Sequence, residues 1–276
     1  MSLVLAHVII DQSERRASII DGAKSLAKSV DCTVNEGQLG CYIQDIIGLV
    51  ESPTMLLGRI EDRFMKLPPE LLQATIATHQ KYITLQDQVG NFSPYFIVVS
   101  NRQSDSARNQ IIMAGNQRVL RARLADAEFF WQQDQKQRLE SYVAELQAVT
   151  FYDGLGDLQA KAFRLEKLAV ILAPFIAGCD APHAGRAGLL AKADLVTGMV
   201  GEFPELQGII GGYYARNDGE ADSVASAIAT HYRPLGPTDD LPETPTARAV
   251  ALADKIDALV GFFGIGAKPT GSKDPL

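Results

Sequence analysis

Apolar positions change their period along this chain, and the changes divide it into elements. Residues 3–10 form a short β-type run of Leu, Val and Ile. Past Ser13, which is expected to cap the next element, Ile19, Ile20, Ala23, Leu26 and Ala27 fall at helical spacing. Tyr42, Ile43, Ile46, Ile47 and Val50 repeat that spacing over 38–50, Pro53 stops it, and 55–60 reads as a buried strand. Pro68-Pro69-Glu70 then opens a helix running through Leu72, Ile76 and His79, since proline suits the first helical turn. Residues 82–85 and 95–99 flank a turn-rich link with Gly90-Asn91 and predict a hairpin. From about 106 to 146 the chain is helix-forming, with an interruption expected at Gly115-Asn116.

Tyr152-Asp153-Gly154-Leu155-Gly156 marks the expected domain boundary, with two glycines in three residues. Beyond it every periodic segment is helical. Leu158, Ala162, Leu165, Leu168, Ala169 and Leu172 make one stripe, 187–200 another, and 223–232 a shorter one ending before Pro234. Leu252, Ile256, Leu259 and Phe263 carry the last helix, after a proline-rich loop over 234–245. The pattern therefore predicts a mainly helical protein: an α+β module over 1–150, then an all-α domain over 151–276.

Of the 276 residues, 46% are hydrophobic and 21% charged, the profile of a globular chain able to bury a core. No stretch reaches the roughly 18 uninterrupted apolar residues of a membrane span. The start lacks a basic segment and a small-residue cleavage site, so a cytoplasmic location is expected. Three cysteines, Cys32, Cys41 and Cys179, with no C-x-x-C spacing argue against a disulfide framework or a cysteine zinc site. The four histidines make no H-E-x-x-H motif and no close pair. Net charge is −7, divided as −2 over 1–150 and −5 over 151–276. Neither half has the basic excess of a free-standing nucleic-acid binder, so any RNA contact must be local, or most of the affinity must lie on another chain. DNA and membrane partners are not expected.

The motifs that cradle nucleotides or activate a nucleophile are absent, and Gly154-Leu155-Gly156 lacks both a third glycine and a preceding hydrophobic strand. No catalytic residue is assigned. Trp131, beside Phe129 and Phe130, reads as core. Thr78-His79-Gln80-Lys81-Tyr82 places a base, an amide, a cation and a phenol in succession, but neighbours at a helix end diverge, so a structural or RNA-facing role fits better. The densest basic cluster is Arg118, Arg121 and Arg123. Arg118 and Arg121 are three apart and share a helix face. In one reading Asp126 pairs with Arg123 and Glu128 with Arg121 on a solvated face; in the other, guanidinium forks grip phosphates.

The runs Leu67-Pro68-Pro69-Glu70, Thr78-His79-Gln80-Lys81-Tyr82 and Val99-Ser100-Asn101 lead into the segments 115–130 and 191–208. With Ala251-Leu252-Ala253-Asp254-Lys255, 259–263 and 269–275, this series resembles the β subunit of bacterial two-subunit glycyl-tRNA synthetase. The resemblance covers the chain apart from Met1-Ser2-Leu3. It implies an internal fragment of a longer subunit that binds tRNA(Gly), with Arg118, Arg121, Arg123 and Lys81 as candidate contacts. It also implies that glycine activation with ATP occurs on a separate α subunit, and that this fragment itself holds no cofactor.

The helical half further resembles the HD fold of metal-dependent phosphohydrolases, whose ligands run H…HD…D. In the register adopted, Arg164 stands at the first His, Ala191-Lys192 at the His-Asp pair and Asp254 at the last Asp. Only one of four ligands survives, so the metal site is expected to be degenerate. A partly buried salt bridge from Asp194 or Asp254 to Lys192 or Arg164 is expected in its place. Two rival functions remain: an active HD phosphohydrolase, and a subunit-assembly scaffold without RNA contact.

Overall fold

The protein is described by a computed structural model covering residues 8–102 and 106–267. These residues form two compact units, 1–129 and 130–276.

In the first unit Asp11, not Ser13, caps helix α1 (Gln12–Lys28), its side chain accepting from the Glu14 N–H. Asn35 caps α2 (Glu36–Leu49) in the same way. Four antiparallel strands, β1 (Thr33–Val34), β2 (Thr54–Arg59), β3 (Ile83–Gln86) and β4 (Phe92–Ser100), lie in the order β1-β3-β4-β2. Ile19 and Ala23 of α1, Ile43 and Ile46 of α2, and Ile83, Leu85 and Ile97 of the sheet bury one another. Asn101 ties the end of β4 to the chain entering β2, its Oδ1 accepting from the N–H groups of Glu51 and Ser52 at 2.8 and 2.9 Å. Between β2 and β3, α3 (Pro69–Gln73) passes directly into a π-helical turn over Ala74–His79.

A long helix, α4 (Ser106–Asp134), follows and closes the other face of the sheet. A Cβ at Gly58 would lie 2.4 Å from the Phe96 ring and 2.5 Å from Met113, so glycine lets α4 approach β2. The expected break at Gly115-Asn116 does not occur. Asn116 donates from Nδ2 to the Ile112 carbonyl at 2.8 Å and accepts from the Tyr82 hydroxyl at 2.7 Å, so its side chain is held within the helix. The helix ends at Asp134 rather than near 146, and short turns over Leu139–Ser141, α5 (Tyr142–Glu145) and Leu146–Ala148 replace the remainder.

Beyond α5 the described residues of the second unit form the β5 (Thr150–Tyr152) and β6 (Gly156–Asp157) hairpin and six further α-helices. These are α6 (Leu158–Leu172), α7 (Ala181–Leu190), α8 (Gly198–Glu202), α9 (Ile209–Asn217), α10 (Asp222–Thr230) and α11 (Pro245–Gly264). Gly154 and Gly156 turn the hairpin with φ of +83° and +84°, a backbone that side chains resist. Thus the expected linker is a hairpin turn inside the helical unit, and the division between units falls at 129/130, within α4. Small residues set the helix spacing: a Cβ at Gly188 of α7 would stand 2.7 Å from the Leu165 carbonyl of α6. The 187–200 stripe divides into α7, a 3-10 turn over Ala193–Val196, and α8. Asp134 fixes that last start, accepting from the N–H groups of Gly198 and Met199 and from the Tyr214 hydroxyl. Trp131 is half-buried against Tyr213 and Tyr214.

The predicted strand over 3–10 lies largely outside the described residues. Its remainder, 8–10, is not strand; Ile9 donates to the Glu51 carbonyl at 2.8 Å. The motif at 269–275 also lies outside the described residues. No helix among the described residues is long and apolar enough to cross a membrane.

Candidate functional site

Two concentrations of charged side chains, one in each unit, include positions singled out in the sequence. That of the first unit lies on α4. Arg118, Arg121 and Arg123 are all exposed, with Leu120 and Leu124 buried between them. The helix turns about 100° per residue, so Arg118 and Arg121 point together and Arg123 does not. In place of the Glu128–Arg121 pairing expected within α4, both side chains meet residues of other segments. Arg121 pairs with Glu61, and Glu128 pairs with Arg63 at 3.3 Å. Arg63 also reaches Glu61 at 3.1 Å and lies over the Phe64 ring, while Arg59 meets Asp62 at 2.8 Å. A cleft of about 340 Å³ opens among Arg59, Glu61, Asp62, Gln117 and Arg121.

Sequence reasoning missed Arg59 and Arg63. They lie some sixty residues before Arg121, and only the docking of α4 on β2 brings them to its face. All these ion pairs are solvent-exposed, and such pairs contribute ~0–1 kcal/mol, so they leave the guanidinium forks exchangeable. Lys81 is separate from this face. It adopts φ +57° at the end of the π-helical turn and pairs with Asp45 of α2 at 2.7 Å. Tyr82, next to it, is buried, stacks on Phe96 and gives its hydroxyl to Asn116. The Thr78–Tyr82 run thus diverges, its members serving different neighbours.

In the second unit α6 and α11 face each other with complementary charges. Lys161 and Arg164 lie one turn apart on α6, and Asp254 and Asp257 one turn apart on α11. Lys161 Nζ contacts Asp254 Oδ1 at 2.8 Å and Asp257 Oδ2 at 3.2 Å. Arg164 grips Asp257 with two hydrogen bonds of 2.6 and 3.1 Å. Lys192 enters from the end of α7, 2.7 Å from Asp254 Oδ2 and 2.8 Å from His231 Nε2.

His231 is fully buried, and burial followed by the nearby Lys192 charge pushes its pKa down to about 3, so it is neutral. Its Nδ1 donates to the Ile228 carbonyl at 2.7 Å, which leaves Nε2 to accept from the Lys192 ammonium. Burial likewise pushes Lys192 down to about 8 despite the pull of Asp254. Burial alone would raise the pKa of Asp254, but Lys192 and Lys161 outweigh it and hold the carboxyl well below the usual carboxylate range.

Of the alternatives the sequence offered for a salt bridge here, the pair that forms is Asp254 with Lys192. Arg164 meets Asp257, not Asp254, because one helical turn separates the two acids and Lys161 occupies the nearer position. Asp194 does not bridge to Lys192. Its Oδ2 accepts the N–H groups of Gly208 and Gly211, and Oδ1 has no partner. Lys161, Asp257 and His231 went unnoticed in the sequence, although the paired i,i+3 spacings on two amphipathic helices were a usable signal.

This residue set does not fit a divalent metal. Ala191 offers no donor, and Lys192 places an ammonium beside the one carboxylate that the HD pattern retains. Among the described residues no group of three or more His, Cys, Asp or Glu side chains is placed to hold a metal ion. Elemental analysis of protein purified without chelator should accordingly show no stoichiometric transition metal; one metal per chain would overturn this assignment.

A family profile described as glycyl-tRNA synthetase beta subunit matches residues 2–276. A glycine–tRNA ligase beta subunit from Rhodospirillum centenum is 47% identical over 274 residues, covering 98% of this chain and 38% of the relative. The protein of that name from Pseudomonas fluorescens is 48% identical over 273 residues, covering 98% and 39%. That from Phenylobacterium zucineum is 46% identical over 281 residues, covering 99% and 41%. The chain therefore spans about two fifths of the length of the curated relatives it matches.

Proposed function

Because the chain belongs to the glycyl-tRNA synthetase β-subunit family, we propose that it positions tRNA(Gly) for attachment of glycine by a separate α subunit. The observation that supports this reading most is the arginine face of α4, where Arg59 and Arg63 join Arg118 and Arg121 in one exposed array. Arginine suits the task because its planar fork matches a phosphate's geometry. Glu61, Asp62 and Glu128 lie beside the forks and lower the net charge, so attraction acts at short range and suits contact with an RNA backbone already delivered by the rest of the enzyme. Arg123 and Lys81 would make outlying contacts of the same kind.

Holding the acceptor RNA in register with the α subunit lowers the entropic part of the barrier without any bond-making group on this chain. In this reading ATP and glycine are bound by α in the cytoplasm, and the chain needs no cofactor of its own. In the same reading the second unit is an HD-type helical domain in which three of the four ligand positions, Arg164, Lys192 and Asp254, have become members of an ion-pair network and the fourth, Ala191, has lost its donor.

Glycine-dependent pyrophosphate exchange tests the division of labour. The chain freed of α subunit is expected to show none. Exchange that survives complete removal of α would overturn the proposal.

A further inference from the structure

The charge network of the helical unit borders a pocket of about 740 Å³, of a size that holds a small organic molecule. Lys161, Lys192 and Lys255 line it with Asp254 as the one carboxylate. Behind this wall Arg164 neutralises Asp257. Asp254 divides its two oxygens between Lys161 and Lys192, which leaves one negative charge against two ammonium groups. Among the described residues Lys255 forms no salt bridge, its Nζ donating to the main-chain carbonyls of Tyr232 and Arg233 at 3.3 and 2.9 Å. A positive excess remains even when buried Asp194 is counted. The rest of the lining is apolar, with the rings of Phe151, Tyr152, Tyr232 and Phe262 among it.

We propose that this pocket binds a phosphate monoester carried on an aromatic body, a nucleoside monophosphate being the simplest molecule that supplies both halves. An inorganic anion would leave the aromatic wall wet, and a neutral aromatic would leave the excess ammonium charge uncompensated. Each lysine ammonium has three N–H groups; Lys192 gives two to Asp254 and His231 and lies over the Tyr232 ring, whereas Lys255 gives two to main-chain carbonyls. The third N–H of Lys255 is available to a phosphate oxygen, which makes a strong charge-assisted bond in a partly desolvated site. The inference does not depend on the tRNA reading, since the pocket uses none of the α4 arginines.

Calorimetric titration of the full chain with AMP, adenosine and inorganic phosphate tests it. AMP should bind with an affinity about tenfold or more above that of adenosine, and phosphate should compete with it. Leu259→Trp, on the pocket rim, should abolish AMP binding by filling the space. Lys255→Gln should weaken it several-fold with an unchanged melting temperature, and keeps the test decisive if Leu259→Trp destabilises the fold. A 5′-phosphorylated RNA trinucleotide separates the two sources of such a group. Tighter binding than AMP assigns the pocket to an RNA end, weaker binding to a free nucleotide, and either supports the inference. Absence of AMP binding at millimolar concentration, adenosine binding equal to AMP, or an affinity unmoved by Lys255→Gln would overturn it.

Discussion

Asp254→Ala should destabilise the helical unit by ~3–5 kcal/mol, the cost of leaving buried charge without its partner. Asp254 is the hinge of the network, its two oxygens held by Lys161 and Lys192, whose side chains are only 4% exposed. Removing the carboxylate leaves Lys192 facing only neutral His231 and a tyrosine ring. Lys161 would keep Asp257, already shared with Arg164. The second lysine is therefore the stranded one, and Asp254→Ala/Lys192→Met should recover much of the loss. Urea denaturation of the single and double variants checks this: equal stabilities for wild type and Asp254→Ala would show that the network contributes nothing. The pair's pH response has a definite sign. Asp254 has a depressed folded pKa, so its stabilisation is complete above the unfolded carboxylate pKa and is lost only as pH falls through the folded one.

Asp194 should behave in the opposite sense. It is fully buried, and burial pushes its pKa up to about 6, although the Gly208 and Gly211 N–H groups favour its charged form. A carboxyl whose folded pKa is raised binds its proton more tightly in the native state. Its contribution is then greatest below the unfolded value and is lost as pH rises from about 4 to about 6. Two pH units correspond to ~3 kcal/mol. Asp194→Asn keeps one oxygen for the two backbone donors and carries no charge, so its stability relative to wild type should rise by about that amount between pH 4 and pH 7. Denaturation at the two pH values measures it. A variant-to-wild-type difference independent of pH would show that Asp194 does not titrate in this window.

The strands, the hairpin and most of the helices were legible because each rests on local periodicity. Met55, Leu57, Ile83 and Ile97 alternate as a sheet demands, and Leu158, Ala162, Leu165 and Ala169 repeat as a helix demands. The continuous α4 was not legible, because what overrides Gly115-Asn116 is a hydrogen bond from Tyr82, thirty-four residues away in sequence. The helix interruption at 191–197 was hidden for a similar reason. Asp194 draws its stability from Gly208 and Gly211, and no local pattern announces that acceptor. Among the charged groups, residue type was readable and partnership was not. Arg121 was visible as a member of a basic cluster, but its partner Glu61 comes from the turn after β2. The same limit left open whether Lys192 or Arg164 would meet Asp254; Lys192 does, and Arg164 meets Asp257, one turn along α11.

The most direct test of the proposed role is the salt dependence of tRNA(Gly) affinity in the assembled enzyme, measured for wild type and Arg118→Ala. Arg118 is exposed and lies outside the Glu61 and Glu128 pairs, so its loss should cost little folding stability, ~0–0.5 kcal/mol. A phosphate-contacting arginine replaced by alanine should weaken binding and make the slope of log affinity against log salt shallower by about one unit. A weakened complex with the shallower slope and an unchanged melting temperature is the predicted result. An unchanged affinity and slope, with the α subunit still bound, would contradict the account and leave the arginine face with a role in assembly alone.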